Sequence, residues 1–142
     1  MNKSFKTLPI LHIAMLSGQA MFIAVVYFVA SPQMDITLET PYAAALGLIT
    51  GGGIMLSMLM WRKRISAPPL LGTTQEKLQH YTTSCLLRWA VLEAPALLAI
   101  VLMLVTHSLF PIFAALGCMA LFLVAKPDKE FFQRVYEVSE VE

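Results

Sequence analysis

Residues 86–106 read LLRWAVLEAPALLAIVLMLVT, and the interpretation of this stretch decides the fold. As a helix it is long enough to cross a hydrocarbon core of about 30 Å. It also carries Arg88 near one end and Glu93, Ala94 and Pro95 further in. Its eleven Leu, Ile and Val residues favour insertion by about 3 to 7 kcal/mol, against a cost of about 3 for one central acidic group. Insertion wins by a modest margin, and an acid retained at such a cost needs a reason to be there.

The rest of the composition agrees with a membrane protein. Hydrophobic residues make up 58% of the 142 positions and charged residues 13%, roughly half the share usual in soluble domains. A net charge of +1, with no basic patch interleaved with aromatics, gives no reason to expect nucleic acid as a partner. Cys85 and Cys118 stand alone in separate apolar segments, without metal-ligand spacing, and read as packing residues. The basic start of the chain resembles a secretory signal. However, the apolar run over residues 8–30 exceeds a signal core, and Phe28 occupies a site where cleavage needs a small residue, so an uncleaved first span is expected. Neither end shows a lipidation motif.

Outward from the central stretch, four spans are expected, at about residues 8–30, 41–61, 84–106 and 109–125, in a single membrane domain over 1–142. Thr7 and Pro9 introduce the first, with Pro9 suited to a first helical turn. An acidic loop with Pro32, Asp35 and Glu39 precedes the second, whose expected N-cap is Thr40. Within it Ala43, Gly47 and Gly51 recur every fourth residue, a small stripe that suits close helix packing or, less simply, a dimer seam. Trp61, Arg62, Lys63 and Arg64 then form an aromatic anchor and basic stop. Thr73 and Glu76 have capping-box spacing, so the third helix should begin there and project as a stalk before entering the membrane. Pro95 should kink it and free the carbonyl of Val91. After His107 and Ser108, Pro111 opens the fourth span. A tail over about 128–138 sets Phe131, Phe132, Val135 and Tyr136 against charged neighbours at helical spacing, giving a short amphipathic helix on the membrane surface or on the stalk.

All ten Lys and Arg residues fall before span one, between spans two and three or at the start of three, or after span four. By the positive-inside rule both termini are cytoplasmic. The expected fold is an all-α, integral membrane four-helix bundle with a cytoplasmic extension of the third helix.

Four polar residues are the candidates for function. Counted from residues 8 and 86 at 1.5 Å per residue, Arg88 lies about 3 Å deep, His12 about 6 Å, Glu93 about 10 Å and Gln19 about 16 Å. Arg88 and Glu93 are roughly 140° apart around a helix, so each should find a partner on another helix. The expectation is a buried cluster of Glu93 with His12 or Gln19, closed by Arg88. It either fixes helix register as polar glue or lets Glu93 take up and release a proton or cation. For His12, an interhelical hydrogen bond is the plainer account. The three histidines lie in different layers, which leaves no metal or haem site, and no cofactor is implied. No nucleophile triad, phosphate loop or paired carboxylate is present, so catalysis is not expected.

With its Arg and Glu-small-Pro third span, His/Gln first span and charged tail, the chain resembles a loose group of small, uncharacterised four-span bacterial membrane proteins. That resemblance implies an inner-membrane location and brings no activity. Locally, Val91 to Pro95 is similar to the ion-binding helix of the rotor-ring c subunit of ATP synthase, which implies Glu93 as an ion-carrying carboxylate. The likeness covers two spans; Gly51, Gly52 and Gly53 depart from that family's alternating glycines, and the connecting loop is far longer. The expected role is a non-enzymatic membrane subunit or scaffold, the alternative a proton- or cation-coupled carrier. The bilayer is the expected partner, together with other membrane subunits or further copies of the chain.

Overall fold

The computed structural model describes residues 3–30, 35–69 and 71–138, leaving aside the side chains of Lys3, Ser4 and Ala30. Pro32 of the expected acidic loop lies outside this range. Five helices follow in order: α1 (Lys3–Ala30), α2 (Thr40–Ile65), α3 (Thr74–Thr106), α4 (Pro111–Val124) and α5 (Lys129–Tyr136). No strand forms among the described residues; an isolated bridge joins Asp35 to Ser108.

Helix α1 begins at Lys3, before the expected start at residue 8, and Pro9 lies inside it. The extra turn has tertiary support: the Phe5 ring is parallel to that of Tyr81, 6.3 Å away, and 6.0 Å from that of Phe132. Helix α2 has Glu39 as its N-cap residue, without a side-chain cap bond, and Thr40 is already helical. At its other end it runs past Trp61 to Ile65. There the Ser66 amide donates to the Arg62 carbonyl and the Ser66 hydroxyl to that of Lys63, next to basic side chains that suit a helix C-terminus.

The capping box of α3 forms with both arms: the Thr73 amide donates to Glu76 Oε2 at 2.7 Å and the Glu76 amide to Thr73 Oγ1 at 3.3 Å. The helix continues without a break through Pro95 and ends at His107, whose φ of 51° is the left-handed turn that stops a helix. Close approach to α2 occurs where Pro95 removes an N–H, and the glycine that permits it is Gly53. A Cβ placed there would stand 3.0 Å from Pro95 Cγ and 3.5 Å from the Val91 carbonyl oxygen. Gly47 and Gly51 of the expected packing stripe are exposed and meet open space, because Gly53 lies about 160° around the helix from Gly51.

Helix α4 has 14 residues, about 21 Å, and is joined to α5 by a bend of 61°. By length and apolarity three helices can cross a membrane, or four if α4 and α5 count as one broken span. Helix α3 is the hub: α4, α2 and α1 all pack along it. Ala96, Ala99, Ala115 and Cys118 are fully buried, and such small residues let helix axes come close. The outer surface is apolar, with Phe28 79%, Leu48 78% and Val124 76% exposed, a pattern that calls for lipid or protein rather than water outside.

Candidate functional site

The last carbonyls of a helix have no partner within it and must find one elsewhere. At the end of α4 the Phe122 carbonyl, which also shares the Ala125 amide at 3.1 Å, and the Ala125 carbonyl are met by side chains from the neighbouring helices. His12 of α1 bonds through Nε2 to the Phe122 carbonyl at 2.8 Å. A carbonyl only accepts, so Nε2 carries the proton. Trp89 of α3 donates its indole N–H to the Ala125 carbonyl, also at 2.8 Å. The His12 ring stacks on Phe122 at 4.7 Å and packs against Trp89 at 4.9 Å. His12, Trp89 and Phe122 are all buried, so three helices are tied at one level by two buried bonds. Short α4 can stop here because its open end is sealed.

The other expected cluster members do not join this arrangement. The Arg88 guanidinium lies over the Trp61 ring of α2, 4.8 Å from its centroid, and its Nε is buried without a hydrogen bond. The Arg88 carbonyl receives a long bond of 3.5 Å from the Ser57 hydroxyl. Gln19 is 2% exposed, and among the described residues neither end of its amide has a hydrogen-bond partner. Glu93 is half-buried and, among the described residues, makes no hydrogen bond or ion pair. Arg88 faces α2 and His12 binds α4, so the four residues do not form one hydrogen-bonded group. Cys85 and Cys118 are free and buried. No three His, Cys, Asp or Glu among the described residues are placed to hold a metal.

Beyond the seal, α5 folds back onto the first turns of α3. Asp128 caps it by accepting from the Glu130 and Phe131 amides, and Phe132 and Tyr136 are fully buried against the core cluster that holds Tyr81 and Leu78. The Tyr81 hydroxyl donates to the Asp128 carbonyl at 3.2 Å and accepts from the Asp128 amide at 3.1 Å. Lys77 Nζ donates to the Tyr136 carbonyl at 3.0 Å, closing the C-terminal end of α5. His80 Nδ1 meets the Tyr136 hydroxyl at 2.7 Å. Burial holds the Tyr81 phenol well above its ordinary value and pushes that of Tyr136 up to about 12. Burial, aided by the Arg64 charge, pulls His80 below 6.5, which favours a neutral ring able to accept from the Tyr136 hydroxyl. The sequence alone singled out neither Trp89 nor Tyr81, and marked Tyr136 only as part of the apolar face of the tail helix; the signal was an aromatic with a polar tip in an apolar setting, which usually finds a buried partner.

At the opposite end, the Asp35 amide donates to the His107 carbonyl and the Leu109 amide to the Asp35 carbonyl. An open hollow of about 520 Å³ adjoins this bridge, lined in part by Asp35, Glu39, Tyr42 and His107. The Asp35 carboxylate is held below its usual range by the Thr37 hydroxyl and the Ile36 amide. Its oxygens are thus engaged within the loop.

The chain matches no protein-family model, and neither a characterised protein nor a solved structure matches it.

Proposed function

We propose that the chain is a non-enzymatic integral membrane protein, a subunit or scaffold, with both termini on the cytoplasmic side of a bacterial inner membrane and α5 docked on a cytoplasmic stalk. The observation that carries this reading is the seal on α4. Buried polar side chains from two helices are used on main-chain carbonyls of a third, which fixes the level of each helix and leaves those side chains committed to structure. The apolar outer surface and the basic ends of α2 and α5 support the membrane placement.

A second reading, a proton- or cation-coupled carrier acting through Glu93, is favoured by one observation: that carboxylate is half-buried and, among the described residues, has no partner. Proteoliposomes separate the two. With a pH-reporting dye inside and a potassium diffusion potential across the bilayer, the scaffold reading expects proton entry equal to that of empty vesicles, for the wild type and for Glu93→Gln alike. Entry above that background, absent in a well-assembled Glu93→Gln protein, would replace the scaffold by the carrier.

A further inference from the structure

One face of α2 carries a groove of about 340 Å³ lined by Gly51, Ile54, Met55, Met58, Leu59 and Arg62. It starts at a notch, since Gly51 and the adjacent Gly52 are exposed with open space where a side chain would stand. It then runs along the helix for about 16 Å, past exposed Met55 and Leu59, and ends at a cation. Arg62 and Lys63 are both exposed, and among the described residues neither side chain has a hydrogen bond or ion pair. The neighbouring Trp61 is turned inward under the Arg88 guanidinium and toward Phe131, so it does not cover the groove.

Two occupants suit an apolar channel with a basic end: a second copy of the chain or an anionic lipid. The charge decides between them. Copies inserted in the same direction meet on this face about an axis along the membrane normal. That would set Arg62 beside Arg62 at the same depth, a like-charge contact inside the interface. An anionic phospholipid meets the same groove with the opposite charge, its chain in the apolar channel and its phosphate at Arg62 and Lys63.

We infer that this face of α2 binds one anionic phospholipid, with an acyl chain seated from Arg62 to the Gly51 notch and the headgroup phosphate held by Arg62 and Lys63. The inference rests on the membrane placement proposed above.

The test is native mass spectrometry of the detergent-purified full chain, offered phosphatidylglycerol or phosphatidylcholine of equal chain length. The wild type should retain one phosphatidylglycerol with roughly thirtyfold preference, as two basic side chains at a headgroup imply, and the preference should shrink as salt rises. Arg62→Gln with Lys63→Gln should abolish it. Gly51→Leu, which fills the notch, should weaken retention of the long-chain lipid but not of a short-chain phosphatidylglycerol, and inorganic phosphate should not compete. Equal retention of the two lipids by the wild type, a preference that survives loss of both basic residues, or competition by phosphate would overturn the inference. So would a dimer that Gly51→Leu dissociates. These side chains are exposed, and monodisperse elution checks that each variant is folded. Extraction of the wild type from membranes by alkaline carbonate would instead defeat the membrane placement, so the two failures are distinct.

Discussion

His12 and Trp89 show how far single residues could be read from the sequence. A histidine in an apolar helix announces a hydrogen bond, and one between helices was expected for His12. Its acceptor, the Phe122 carbonyl, was not legible, because every residue has a carbonyl and only near helix ends do carbonyls keep room for a side-chain donor, here beside a shared bond from the Ala125 amide. The same holds for Trp89 and Ala125. Glu93 and Arg88 were judged by charge, yet charge does not say which helix lies opposite; Arg88 met an aromatic face instead of an acid. Trp89→Phe keeps the packing of the seal and removes its N–H, so it should lower stability by about 1 kcal/mol, while His12→Ala, which also loses the stacked ring, should cost about 2 to 3. Reversible unfolding in mixed micelles measures both. Equal effects from the two would show that the indole bond is as important as the imidazole and its ring together. His80 gives a pH dependence. Its value with α5 docked lies below the ordinary 6.5, so the undocked form binds more protons between the two. Docking is therefore strongest above about 6.5 and weakens as pH falls through the lowered value. Hydrogen exchange in α5 should speed up between pH 7.5 and 5.5 relative to α3, and His80→Gln should flatten that difference. An α5 equally protected at both pH values would remove His80 from the docking account.

At the level of elements, local chemistry was legible and facing surfaces were not. The Thr73 and Glu76 capping box, the Asp128 cap and the amphipathy of α5 are all written in short spacings, and each appears in the structure. The small stripe of α2 has equally clear spacing, but a spacing defines a face without naming what lies against it. The close contact went to Gly53, opposite Pro95, where the missing N–H and the flat ring let a glycine approach. The early start of α1 escaped notice for a related reason: Phe5 is held by Tyr81 and Phe132, residues far away in the chain. Two leucine substitutions separate these faces. Gly53→Leu must push α2 from α3 and should destabilise by about 1 to 3 kcal/mol. Gly47→Leu, with open space beyond it, should be neutral or slightly stabilising through helix propensity. Thermal stability of the two proteins in one detergent checks this, and a Gly47→Leu loss as large as that of Gly53→Leu would mean that the outer stripe is also covered.

At the scale of the whole molecule, the contacts of Phe5 with Tyr81 and Phe132 bring the start of α1, the start of α3 and α5 to one end, and the bridge between Asp35 and Ser108 gathers the two connecting loops at the other. Helix α4 alone is short for a crossing. It reaches from the loop end only to the level of His12 and Trp89, and α5 covers the remaining length of α3 after the 61° bend. If the membrane boundary lies at that seal, α3 has 18 residues from Trp89 to Thr106, about 27 Å, and α4 has about 21 Å, so both fit a somewhat thin hydrocarbon layer. This arrangement makes a topology experiment decisive, because Cys85 and Cys118 are both buried and should stay silent toward a bulky reagent. In intact spheroplasts an impermeant maleimide should label Thr37→Cys, in the loop beside the bridge, and leave Arg134→Cys on exposed α5 unlabelled until the membrane is opened. Labelling of both from outside would mean that α4 and α5 do not return the chain to the starting side, and the seal would then have to lie away from the inner boundary. Labelling of Arg134→Cys alone would invert the whole molecule and set its basic ends against the positive-inside rule.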